Sequence, residues 1–229
     1  MRAVLLAAGL GTRLRPYTEA TPKCLIEIGG TPLVIHWLKK LTESGIQEVL
    51  INTHYLSDQV EEYLRNSVYA QSLSFAYEPE LLGTAGTLIK NINFIGDQDC
   101  LLIHADNYMT SSLDRLLDAH SSRPAYCLMT MLTFRTDNPK SCGIVEIDEI
   151  GVVQRFYEKL DSYHGNLANG AVYALSNELI RELVNEKDFS RDVIPRQLGK
   201  IFSIETDGYF DDIGTPDSLR KAQLFAETN

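Results

Sequence analysis

Ala3-Val4-Leu5-Leu6-Ala7-Ala8 is an unbroken apolar run that stops at Gly9. A run so short, with no polar alternation, suits a strand buried on both faces, which is the environment of a parallel sheet. After a glycine-rich loop, Leu33, Val34, Trp37, Leu38 and Leu41 recur at helical spacing until Gly45, and Val49-Leu50-Ile51 begins a second apolar run. The alternation continues with a helix around 57–65, a strand near 73–77, a helix near 84–90 and a strand at 100–103. Parallel strands need helical crossovers, so this order predicts an α/β fold with a doubly wound, mostly parallel sheet. Beyond Arg123 the pattern changes. The stretches 126–134, 143–147, 152–157 and 170–175 read as short strands separated by turns, an antiparallel section added to the sheet edge. Helices near 178–185 and 216–227 close the fold.

The chain has 229 residues, no repeat and no proline-rich linker. One domain is expected, with a subdivision near residue 115. Twenty-one Lys and Arg stand against 31 Asp and Glu, a net charge of -10. That excess repels polyanions at long range and excludes nonspecific nucleic-acid binding, so any phosphate chemistry must be local. Cys24, Cys100, Cys127 and Cys142 make no CxxC pair, which indicates buried thiols in a reducing cytoplasm rather than zinc or disulfides. Ala3 to Leu10 is too short for a signal peptide or membrane span.

In open parallel sheets, ligands bind beyond the carboxyl ends of the strands. Gly9-Leu10-Gly11-Thr12-Arg13 follows the first strand, where glycines let backbone N–H groups approach an anion; two glycines also simply make a turn. The loop matches neither GxGxxG nor GxxxxGK[ST]. Arg13 and Lys23 supply charge beside it. Asp106 lies just past the strand at 100–103, as a ligand for Mg²⁺ or as a helix N-cap. Asp211-Asp212 offers a second carboxylate pair before Gly214. Lys159 reads as a phosphate ligand or a solvated lysine, Asn169 as a sugar ligand or a turn residue, and His54 and His104 as structural or pocket-lining. No GxSxG elbow is present, and the second strand ends Asn52-Thr53-His54 rather than in the acidic residue a dinucleotide fold requires.

Together these stretches resemble the sugar-1-phosphate nucleotidylyltransferase family over nearly the whole chain. The most specific match is Leu6-Ala7-Ala8-Gly9-Leu10-Gly11-Thr12-Arg13-Leu14-Arg15-Pro16 with Thr21-Pro22-Lys23 and Leu25. Leu82-Gly83-Thr84-Ala85-Gly86, the strand ending at Asp106, Glu158-Lys159, Asn169-Gly170 and Asp212-Ile213-Gly214-Thr215-Pro216 support it. Many relatives carry proline after each of the two lysines, where this chain has Cys24 and Leu160.

The resemblance implies a Rossmann-like fold of the nucleotide-diphospho-sugar transferase type. Residues up to about 115 would form its nucleotide-binding part and residues from about 116 its sugar-binding part. It implies transfer of a nucleotidyl group from a nucleoside triphosphate to a sugar 1-phosphate, releasing pyrophosphate. Leu6, Ala7, Ala8, Gly9, Gly11, Thr12, Arg13, Lys23, Glu78, Gly83 and Thr84 would bind the nucleotide, with Arg13, Lys23 and Asp106 catalytic. Asp106 and Asp212 would hold Mg²⁺. Asn107, Gly143, Glu158, Lys159 and Asn169 would bind the sugar phosphate. Glu78 falls where the family reads the base; a carboxylate complements the two adjacent donors of guanine. GTP with mannose 1-phosphate or D-glycero-D-manno-heptose 1-phosphate is therefore expected. The alternative is uridylyl, thymidylyl or cytidylyl transfer to glucose 1-phosphate or an amino sugar 1-phosphate, and a non-catalytic regulatory subunit is a further one. The chain stops soon after Gln223, so no acetyltransferase domain is expected. No membrane or nucleic-acid partner is expected.

Overall fold

The computed structural model describes residues 1–158 and 164–228, which form two compact units. The first comprises Arg2–Leu81, Ile103–Ser112 and the stretch from Gly208. The second comprises Met1, Leu82–Leu102 and Leu113–Asp207. The compact units therefore do not follow a single cut near residue 115: 82–102 group with later residues, and the stretch from Gly208 groups with the amino-terminal ones.

In the first unit, Arg2–Leu6, Val49–Thr53 and Leu73–Tyr77 pair in parallel, with Ala3 opposite Val49 and Val49 opposite Leu73. Ala3, Val4 and Leu5 are fully buried, as the apolar run requires. The helix Leu33–Glu43 buries Leu33, Val34, Trp37, Leu38 and Leu41, the apolar face that the sequence spacing sets out. It stops where Gly45 turns left-handed and Ile46 N–H returns to Leu41 O at 2.8 Å. Ser57–Arg65 bridges the next two strands.

A second apolar cluster joins distant parts of this unit. Leu14, Ile26, Ile28, Leu33, Tyr108, Ile213, Leu219 and Ala222 pack together. The short strand Phe210–Asp212 pairs antiparallel with Asn107–Met109, placing Asp212 opposite Asn107. Neither strand is legible at three residues, because a run that short carries no periodicity.

In the second unit, Met129–Arg135 and Leu167–Leu175 pair antiparallel, as do Gly143–Ile147 and Val153–Glu158. The antiparallel reading holds for these four, whereas Ile201–Glu205 pairs parallel to Met129–Arg135. That strand and the helix Asp114–Ser122 go unread in the sequence. Among the described residues no helix is long and apolar enough to cross a membrane.

The helix Asp114–Ser122 buries a histidine. His120 Nδ1 lies 3.1 Å from Thr130 Oγ1 and Nε2 lies 3.3 Å from Asp99 Oδ2. Burial, reinforced by Arg123, pushes its pKa down to about 4 despite Asp99. The unfolded chain binds this proton near pH 6.5 while the folded chain refuses it, so stability drops as pH falls from 6.5 toward 4. The contribution is on the order of 3 kcal/mol. Melting temperatures across that range should fall more steeply for the natural chain than for His120→Gln; equal slopes would contradict the assignment.

Candidate active site

The loop after Arg2–Leu6 separates its two glycines by cause. Gly11 is left-handed at φ +62°, and a Cβ there would meet Thr18 Cγ2 at 2.8 Å, so the turn itself demands glycine. Thr18 fixes that turn by donating to Gly11 O at 2.7 Å, and the single Tyr55 hydroxyl proton is shared between Glu19 O at 2.9 Å and Thr18 O at 3.2 Å. Gly9 has neither reason. A Cβ at Gly9 would find no described atom within 4 Å apart from its chain neighbours. Gly11 is thus the turn, and Gly9 leaves open space against the backbone, which is what a cradle for a ligand requires.

Lys23 lies in the turn Lys23–Leu25 and its side chain is only 8% exposed. Its ammonium reaches Asp106 Oδ2 at 2.6 Å and Asp212 Oδ1 at 3.4 Å. Arg13 Nη2 approaches the other Asp212 oxygen at 3.8 Å. The apolar cluster brings the carboxylates together, because Tyr108 and Ile213 are buried in it and Ile213 N–H donates to Asp106 O at 3.0 Å. Trp37 Nε1 holds the adjoining strand through Asn107 O at 2.8 Å. At Gly214 a Cβ would sit 3.0 Å from both Arg13 Nη2 and Asp212 Oδ2, so this glycine leaves room for the ion pair.

The electrostatics follow from this crowding. Burial alone would lower the Lys23 pKa, but Asp106 and Asp212 together raise it above the usual lysine value. Lys23 therefore carries its proton throughout the neutral range. Burial works to raise Asp106, yet Lys23, helped by His104, holds that carboxyl below the usual range. Asp212 is pushed up by burial and by the neighbouring Asp106 charge, only partly offset by Lys23 and Arg13. One ammonium serves two carboxylates, and Asp106 has the larger share.

Both carboxylates turn toward a locus that already holds one positive group, and this donor set fits a hard divalent cation. Mg²⁺ usually takes one or two protein carboxylates and keeps water or phosphate oxygens elsewhere. Among the described residues, no group of three or more His, Cys, Asp or Glu gathers as a metal cage, so only a site of that sparse kind is compatible.

Other expected residues have visible local roles. Glu78 is buried, with 3% exposed, and its Oε1 accepts Asn52 Nδ2 at 3.0 Å. His54 Nδ1 lies 2.7 Å from Glu78 O, a structural contact. Asn107 is also buried. Cys24 is an inert packing thiol, pushed up to about 12 by burial.

In the second unit a Cβ on Gly83 would collide with Lys187 O. Lys187 O also accepts Ala85 N–H at 2.9 Å, and Thr84 Oγ1 accepts Phe189 N–H at 2.7 Å. Gly143 faces Glu158 across a strand pair; a Cβ on it would lie 2.6 Å from the Phe156 ring and 2.9 Å from Glu158 Oε2. Asn169 lies within the strand Leu167–Leu175, opposite Thr133, where an irregularity in the pairing begins. Its Oδ1 accepts Ala171 N–H at 2.9 Å, where Ala171 is left-handed at φ +51°, and its Nδ2 donates to the buried Tyr173 hydroxyl at 2.7 Å. Lys159 lies outside the described residues. The sequence reading passes over Asn52 and Gly214 as site residues, since each gains its meaning only from neighbours distant in the chain.

An open glycine loop flanked by a buried lysine, an arginine and two carboxylates is built to receive both anionic and cationic groups. A family model described as nucleotidyl transferase matches residues 2–229, and the chain belongs to that family. It is 29% identical over 224 residues to the mannose-1-phosphate guanylyltransferase catalytic subunit beta of Drosophila melanogaster, covering 94% of this chain and 60% of that protein. It is 27% identical over 226 residues to the mannose-1-phosphate guanyltransferase of Saccharomyces cerevisiae, covering 94% and 62%. The chain thus spans about three fifths of the length of these relatives.

Among solved structures, a Bacillus anthracis protein described as a glucose-1-phosphate thymidylyltransferase superposes with a TM-score of 0.89 at 22% identity, covering 100% of this chain and 96% of that one. This likeness establishes the fold, the mostly parallel α/β class expected from the sequence. HddC from Yersinia pseudotuberculosis, solved with GMP-PN, gives a TM-score of 0.82 at 25% identity, with 98% of each chain covered.

Proposed function

We propose that the chain transfers a nucleotidyl group from a nucleoside triphosphate to a sugar 1-phosphate, giving a nucleotide sugar and pyrophosphate. The observation that carries this reading is Lys23 held between Asp106 and Asp212, with Arg13 alongside, next to the open backbone at Gly9. An oxygen of the sugar phosphate attacks the α-phosphorus and pyrophosphate leaves, so catalysis consists of aligning mutually repelling anions and neutralising charge that builds up. Arg13, exposed and held to Asp212 at 3.8 Å, is placed to take the leaving pyrophosphate. Lys23, always protonated, offers charge to the α-phosphate. Asp106 and Asp212 would hold Mg²⁺, which when bound neutralises charge on the reacting phosphates. No covalent enzyme intermediate is required.

GTP is the proposed donor, with mannose 1-phosphate or D-glycero-D-manno-heptose 1-phosphate as acceptor. The relatives named as mannose-1-phosphate guanylyltransferases and the GMP-PN complex of HddC support guanine. Four free cysteines, three of them buried, suit a reducing cytoplasm. A panel of sugar 1-phosphates crossed with GTP, UTP, dTTP and CTP, read as nucleotide sugar formed, tests the assignment. The greatest kcat/KM should fall on GTP with a manno-configured sugar 1-phosphate; a clear preference for UTP or dTTP would overturn the base.

A further inference from the structure

Asn52 ends the second parallel strand, Val49–Thr53, and its side chain joins two other strand ends. Its Oδ1 accepts Ala7 N–H at 2.7 Å, at the first residue of the glycine loop. Its Nδ2 donates to Glu78 Oε1 at 3.0 Å, just after the third strand. Only one orientation of the amide satisfies both ends, because an amide nitrogen has no lone pair for Ala7 N–H and an amide oxygen would face a carboxylate. Asn52 and Glu78 are each 3% exposed, so water has little access to replace a lost bond. The backbone of Glu78 is itself held, its N–H donating to Thr53 O at 2.8 Å.

We infer that Asn52 and Glu78 form a buried relay that sets the Ala7–Gly9 backbone for the nucleoside triphosphate, with Glu78 acting through Asn52 as a positioning residue rather than reading the base itself. This rests on the nucleotidylyltransferase reading above. The relay fixes the loop that carries the open backbone at Gly9, where the triphosphate is proposed to bind. Its loss should therefore raise KM for the triphosphate and leave KM for the sugar 1-phosphate unchanged.

The test exchanges the two polar groups. Asn52→Asp still accepts Ala7 N–H but sets a second carboxylate against Glu78. Adding Glu78→Gln restores the bond with its polarity reversed, Gln donating to Asp, at unchanged net charge. The Asn52→Asp variant should raise KM for GTP at least about tenfold with KM for the sugar phosphate within about twofold, and the double variant should recover most of that loss together with the preference for GTP. Asn52→Ala, which adds no buried charge, should shift KM in the same direction, and melting temperatures report folding for every variant. The relay is overturned when Asn52→Asp and Asn52→Ala keep the natural KM for GTP. It is equally overturned when the double variant regains its melting temperature without its preference for GTP, since Glu78 would then be contacting the base. Absence of pyrophosphate release by the unmodified chain would instead overturn the nucleotidylyltransferase reading, and the relay's purpose with it.

Discussion

Lys23→Met should lower pyrophosphate release by about a thousandfold while leaving a folded protein. A placed cation opposite charge that develops in the transition state is worth on the order of a hundredfold to a thousandfold. Lys23 is the buried cation of this site, 8% exposed and 2.6 Å from Asp106. Methionine keeps the length and apolar stem of the side chain and removes only the charge. The substitution also has a folding cost that the sequence alone does not disclose. Removing one partner of a buried pair typically costs about 3–5 kcal/mol. Here Asp106 and Asp212 are 34% and 48% exposed, so water takes up part of the loss and about 1–3 kcal/mol is expected. Turnover of purified Lys23→Met, read beside its melting temperature, checks both halves. Near-natural turnover would remove Lys23 from the chemistry.

Asp106→Asn should be the second large loss, about a hundredfold to ten-thousandfold in kcat/KM, equal to roughly 3–5 kcal/mol of transition-state stabilisation. Asn keeps the shape but has lost the charge that holds a cation and pairs with Lys23. The effect on folding is much smaller than that on turnover. Asp212 is pushed upward partly by the Asp106 charge, so its removal relieves one repulsion while weakening one ion pair, and the melting temperature should move little. Raising Mg²⁺ should recover part of the lost turnover in Asp106→Asn and none in Lys23→Met, because only the first variant is deficient in cation binding. Full activity of Asp106→Asn at ordinary Mg²⁺ would contradict the role given to this carboxylate.

The parallel half of the fold is legible because its signal is long. Ala3 to Leu6 and Val49 to Ile51 are apolar on both faces, and Leu33 to Leu41 repeats at helical spacing. Strands that pair only through tertiary contact escape such reading. Asn107–Met109 and Phe210–Asp212 are three residues each and exist because Tyr108 and Ile213 share one apolar cluster. Their pairing brings Asp106 and Asp212 onto the same lysine, so the sequence names both carboxylates without stating that they meet. The glycines divide similarly. Gly9 and Gly11 look alike in the sequence, and only the position of Thr18 shows that one is a turn and the other an opening. Glu78 and Asn169 stand where the family resemblance expects ligand contacts, yet their polar atoms already hold Asn52, Ala171 and Tyr173.

The proposed reaction moves the α-phosphorus of a nucleoside triphosphate onto a sugar phosphate. GTP labelled at its α-phosphorus, incubated with mannose 1-phosphate, Mg²⁺ and the protein, tests it directly. The label should appear in a nucleotide sugar, with one unlabelled pyrophosphate released for each product formed. Label left in GDP with release of inorganic phosphate, or in GMP with no sugar attached, would contradict the account.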